Sequence, residues 1–242
     1  MKGEARTSIT LSHVSELWED TTRREFMRLA AIGGTAIFLP SIMAGCSDSN
    51  NNNDITAPPT DTVVIDLSKD AGVLNYAYAL EQLEAAFYSR VVSGIATSQL
   101  SASEQVVLTD IRNHEVIHRD FLATALGTAK IPNLAVDFSS VNFNNRVSIL
   151  RVAKTFEDIG VSAYNGAGSL LKDLNNLGVA GKIVSVEARH AATIRDLLNP
   201  GSRDFAGDDV VDRLSGLDQA TPPALVLGGL LTYVTTPIQL IS

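Results

Sequence analysis

Four stretches of this 242-residue chain carry apolar residues at alternating steps of three and four, and a glutamate breaks each of them. The first runs Leu74, Tyr78, Glu81, Ala85, Tyr88, Val92. The second runs Leu108, Ile111, Glu115, His118, Leu122, Ala125. The third is Leu150, Ala153, Glu157, Gly160, Tyr164, Ala167, Leu171, Leu174, and the fourth Ala180, Ile183, Glu187, His190, Ile194, Leu197. Steps of this kind place one apolar stripe on each helix, and the stripe packs on other helices. Four such seams predict an all-α fold, a four-helix bundle; no strand alternation shows inside the body. The glutamates are then the problem. A lone carboxylate in a bundle core costs several kcal/mol unless it is paired or ligates a metal. Glu81, Glu115, Glu157 and Glu187 facing one core repel each other, and a pair of divalent cations matches their charge.

The spacing suits that chemistry. Glu115-x-x-His118 and Glu187-x-x-His190 set a carboxylate and an imidazole one turn apart on one helix face. Each pair can hold one metal, while Glu81 and Glu157 complete or bridge the site, the ligand scheme of di-iron and di-manganese carboxylate bundles. Hard oxygens with imidazoles suit two iron or manganese ions. With 10 glutamates and 4 histidines in the chain, chance supplies only about 0.17 Glu-x-x-His pairs, so two are informative.

The chain also repeats. Glutamate and tyrosine stand seven residues apart in both halves, Glu81 with Tyr88 and Glu157 with Tyr164. A pseudo-two-fold relating two helix pairs puts equivalent ligands on both sides of a metal pair. The repeat aligns Glu84 with Gly160, which makes Glu81 the better ligand and leaves Glu84 as a neighbour or an extra ligand. Tyr88 and Tyr164 are either hydrogen-bond donors to the carboxylates or core aromatics. His114 points about 100° from Glu115 and falls on the surface or behind the ligands.

Ser101-x-x-Glu104 predicts a capping box. Gly127 to Asn142, with Pro132, forms a connection long enough to cross the bundle. Asn175 to Gly181 reads as a tight turn, and Pro200-Gly201 as the end of the fourth helix. The bundle is placed at 67–200, with a helical extension over 201–242 packing on it.

Ahead of the bundle, Arg23 and Arg24 followed by Phe26 come just before an apolar stretch, Leu29 to Gly45. The order resembles a twin-arginine export signal over residues 1–45. The stretch is shorter than the ~20 residues of a membrane-spanning helix. The single cysteine, Cys46, closes a segment resembling a bacterial lipobox, where it is lipid-modified. Residues 46–66, with four consecutive asparagines and Pro58-Pro59, read as a flexible polar tether. The implied partners are the twin-arginine export machinery and a membrane, reached through the lipid anchor on the periplasmic side. Ser47 leans the sorting toward the outer membrane. A net charge of -8 leaves no basic patch for nucleic acid, and one cysteine excludes an intramolecular disulfide framework.

The segments LEQLEAAFY, HEVIHRDFL, FEDIGVSAYNGA and VEARHAATIRDLL resemble the bacterial ferritin-like domain family that includes plant desiccation-related proteins. The resemblance covers about residues 70–200. It implies a ferritin-like four-helix bundle whose two-metal site is carried by Glu81, Glu115, His118, Glu157, Glu187 and His190. Two roles follow from it: an oxidoreductase that oxidises ferrous ion or removes peroxide at the cell envelope, or a non-catalytic metal-binding protein that protects the envelope during stress or drying. A lipid-tethered chain fits a monomer or homodimer better than a closed storage shell.

Overall fold

The computed structural model describes residues 62–230 and 232–242. Arg23, Arg24, Cys46, the rest of the predicted export signal and the tether as far as residue 61 lie outside the described residues. Four long helices make the body: α1 (Asp70–Ser93), α2 (Ala102–Leu126), α3 (Arg146–Gly168) and α4 (Leu174–Leu198). α1 packs along α2, and α3 along α4; the two pairs meet through α1 with α3 and through α2 with α4. A cavity at one end of the bundle is lined by the N-terminal halves of α1 and α4 and the C-terminal halves of α2 and α3. Hence α1 and α4 run one way, and α2 and α3 the other. The bundle expected from the four seams is the fold observed.

The helix starts are fixed by local chemistry. Ser101 Oγ accepts from the Glu104 N–H and Glu104 accepts from the Ser101 N–H, the reciprocal cap expected from the sequence. Arg146 then ties that glutamate to the last turn of α4, donating to Glu104 Oε1 at 2.7 Å and to the Leu197 carbonyl at 2.7 Å. One boundary differs from expectation. The predicted turn at Asn175–Gly181 is helical, because Asp173 caps α4 by accepting from the Asn175 N–H at 2.8 Å. Gly178 and Gly181 lie on its exposed side. Helical glycines cost about 1 kcal/mol each, and the packing of Val179, Ala180 and Ile183 outweighs that. The turn falls instead just after Gly168, so Leu174, placed on the third seam, opens α4 and is 79% exposed.

Because α2 and α3 are parallel, the chain between them must cross the whole bundle. It does so over α1. Asn75 donates to the Ala129 carbonyl and accepts from the Ile131 N–H; Gln82, two turns on, accepts from the Leu134 N–H. α1 is therefore covered on both faces, and every residue from Asn75 to Ala85 is buried.

The C-terminal segment carries the expected helical extension in part. Its described residues hold one short helix, α5 (Pro223–Leu230), and a 3-10 turn at Asp204–Ala206. It ends in a strand, β2 (Ile238–Ile241), pairing in parallel with β1 (Val63–Asp66), Val63 opposite Ile238. β1 lies within residues expected to be tether; Val63 and Ile65 are buried, which a tether cannot achieve. Gly166 lets the segment cross α3, for a Cβ there would stand 2.0 Å from the Thr221 carbonyl oxygen. Among the described residues no helix is long and apolar enough to cross a membrane.

Candidate metal centre

The four seam glutamates are each 0% exposed, and His190 is buried with them. With His118 they form two groups of ligand atoms, Glu81–Glu115–His118–Glu187 and Glu115–Glu157–Glu187–His190; within each group the atoms lie no more than 4.8 Å apart. All six residues picked out in the sequence are thus brought together. Their division of labour differs from the simplest reading of the spacing. His118 Nδ1 lies 2.9 Å from Glu187 Oε1 but 3.7 Å from Glu115 Oε2 on its own helix. His190 Nδ1 lies 2.8 Å from Glu115 Oε1 and 3.9 Å from Glu187 Oε2. Each imidazole faces the other pair's carboxylate. Glu115 and Glu187 are shared between the groups, while Glu81 and Glu157 belong to one each.

The tyrosines cross over in the same way. Tyr88 on α1 donates to Glu157 Oε1 at 2.5 Å, and Tyr164 on α3 donates to Glu81 Oε1 at 2.6 Å. Burial and the neighbouring carboxylates push both phenols well above their usual range, so they remain neutral donors. Each end carboxylate has one oxygen held and one free.

The free atoms test whether a cation fits. Glu81 Oε2, both oxygens of Glu115 and of Glu187, Glu157 Oε2, His118 Nδ1 and His190 Nδ1 are buried without a hydrogen-bond partner. A buried polar atom left unpaired costs about 1–3 kcal/mol, and these eight belong to the residues of the two groups. The donor set of carboxylate oxygen and imidazole nitrogen is what a hard or borderline divalent metal takes. The ferritin-like domain family matches residues 69–200, from the start of α1 to just beyond α4.

The chain belongs to the ferritin-like domain family.

Among curated proteins, none matches it. Within this ferritin-like domain, fold and buried Glu/His cluster together fit metal binding.

Residues around the ligands complete the domain's centre. His114 lies behind His190: its Nδ1 is 2.9 Å from His190 Nε2, and the rings are within 8° of parallel. If His190 presents Nδ1 to a metal, its Nε2–H is the donor, and His114 fixes that tautomer and ring orientation. The second half of the repeat has Val186 at this position, so no repeat signal pointed to it. Glu84 is 4% exposed and outside both ligand groups. Its carboxyl occupies the space over Gly160, where a Cβ would meet Glu84 Oε1 at 3.0 Å and Glu187 Oε2 at 3.6 Å.

Without a cation the ferritin-like domain must hold protons here. Burial pushes Glu84 and Glu115 well above the usual carboxylate range and takes Glu157 to about 7. Burial alone lowers an imidazole's affinity for protons, but the surrounding carboxylates override it. His118 lies far above its ordinary value and His190 at about 12. Burial also acts to raise Glu187, yet both imidazoles lie against it and hold it at about 2.

Proposed function

We propose that this ferritin-like domain binds two iron or manganese ions and uses them to oxidise ferrous ion or to consume peroxide, at a cell envelope reached by twin-arginine export and a lipid anchor on Cys46. The carrying observation is the set of eight buried, unpartnered ligand atoms in two groups that share Glu115 and Glu187. When bound, such a metal pair supplies one-electron steps toward dioxygen or peroxide. The chain supplies the rest. Glu115 and Glu187, which belong to both groups, would hold either ion. Glu81 and Glu157, each clamped by a tyrosine, present one oxygen apiece. His118 and His190 enter through Nδ1, and the apolar seams around them keep bulk water out. The arginine pair, the apolar stretch behind it and the lone cysteine support the envelope location.

A second reading, a non-catalytic stress protein in which metal only fastens the bundle, is favoured by one feature: ligands come from all four helices. Anaerobic loading with ferrous ion separates the two. Two ions per chain, oxidised on admission of oxygen faster than in buffer and lost in Glu115→Ala/His118→Ala, support the oxidoreductase. Two ions held without oxidation leave the stress role, and no bound metal overturns both.

A further inference from the structure

An apolar cavity lies on the bundle axis beside one half of the metal centre. Its inner wall is built from residues one turn beyond the Glu81–Glu115–His118–Glu187 group. Ala77 precedes Glu81 by four residues, Leu122 follows His118 by four, and Ile183 precedes Glu187 by four. One turn is about 5.4 Å along the axis. Tyr164, whose hydroxyl holds Glu81, also lines the cavity. Toward the outer end Gly168 and Ala180 are half-buried, whereas Leu122 and Ile183 are 1% and 5% exposed, so the lining grades from surface to centre. Tyr76 stands on the same wall, 1% exposed, with its hydroxyl unpartnered.

The internal repeat provides a comparison within the same molecule. The pseudo-two-fold that takes Glu81 to Glu157 and Glu187 to Glu115 takes Leu80 to Phe156, Ala167 to Val91 and Ala180 to Leu108. All three replacements are larger, and they are at most 1% exposed. Phe156 packs edge-on against Phe87 with ring centres 5.1 Å apart. At these three positions the end of the bundle beside His190 carries the larger side chains, and the end beside His118 the smaller ones.

We propose that this cavity admits dioxygen to the Glu81–His118 side of the centre, making the two metal positions unequal in access. The inference rests on the metal-centre reading above and narrows its oxidant. The cavity volume is about 20 Å³, too small for an organic substrate. Its lining is almost wholly apolar. Peroxide gives up several hydrogen bonds to enter such a space, whereas dioxygen gives up essentially none.

The test uses the metal-free full-length protein with labelled methyl groups, under dioxygen and then xenon pressure. Paramagnetic relaxation by dioxygen and a xenon-induced shift are expected at the methyls of Leu122 and Ile183, and not at their repeat counterparts Ile194 and Ile111, which are equally buried. Ala167→Val/Ala180→Leu, which installs the counterpart side chains, should abolish both effects; Ala180→Leu alone serves if the double variant does not fold. Equal responses at the two pairs, no response at Leu122 and Ile183, or a response surviving in a folded variant overturns the proposal. Cobalt titration of the same sample tests the metal reading separately: failure to bind cobalt sinks that reading while leaving the gas-access result to stand or fall alone.

Discussion

The hydroxyl of Tyr88 donates to Glu157 Oε1 at 2.5 Å, from α1 of one helix pair to α3 of the other. Tyr164 repeats the contact in the opposite sense to Glu81. These reciprocal bonds fix the aim of the two end carboxylates before any metal arrives. Removing one leaves a buried oxygen unpaired. Tyr88→Phe should therefore cost about 1.5–3 kcal/mol of folding stability and weaken metal binding about 10–100-fold. Denaturant melts and cobalt titration measure the two effects. An affinity unchanged from wild type would show that the bond does not orient Glu157.

Protons and cations should compete at this centre, with a definite sign. Glu157 rises from an ordinary 4.5 to about 7 on folding, and His190 from 6.5 to about 12. A raised group holds its proton in the folded chain where the unfolded chain has lost it, so its contribution is complete below the ordinary value and fades as pH climbs through the folded one. The metal-free protein should thus lose stability as pH rises from about 4.5 to 7 through Glu157, and on toward 12 through His190. Glu187, lowered to about 2, acts in the opposite sense and only below about 4.5. A bound cation replaces those protons, so metal affinity rises with pH. Melting temperatures between about pH 5 and pH 9 should fall for the metal-free protein and separate from those of the cobalt-loaded protein. A metal-free melting temperature that climbs over this range would contradict the assignment.

Gly160 makes room for Glu84. Gly160→Ala puts a Cβ 3.0 Å from Glu84 Oε1, so the carboxyl must shift by a few tenths of an ångström toward or away from Glu187. The expected result is a changed ligand-field spectrum of the cobalt-loaded protein with the helical fold retained. An unchanged spectrum would mean that Glu84 has no influence on the ligands.

Arg195 fastens the C-terminal segment to the bundle. It is 3% exposed, pairs with Asp158 through Nε and Nη2, and reaches Asp209 and the Asp204 carbonyl. Asp209 is 61% exposed at the side chain, so its share is screened by solvent. Arg195→Met should cost about 2 kcal/mol and raise hydrogen exchange over residues 204–221, leaving α1 to α3 protected. Exchange that rises uniformly would deny the segment a separate anchorage.

The sequence disclosed the helices because their period is local: three- and four-residue steps, a capping box and glutamates at seam positions are visible without knowing what packs on what. His114 was harder, since its contact depends on a ring from α4 and its repeat counterpart is Val186. The glycines of 178 and 181 misled, because a cap by Asp173 and burial of Ile183 outweigh their local preference for a turn. The β1–β2 pair could not be read from either four-residue segment, as each gains its partner only from the far end of the folded chain.

By itself the sequence determined that four helices carry four buried glutamates and two histidines, because amphipathic spacing fixes which face a residue occupies. Only the tertiary structure decided that Glu115 and Glu187 are the shared carboxylates, that each tyrosine clamps the opposite helix's glutamate, and that a cavity lies at one end of the bundle. Those outcomes depend on how helices of opposite direction lie against one another, and that arrangement is set by long-range packing rather than by any spacing along a single segment.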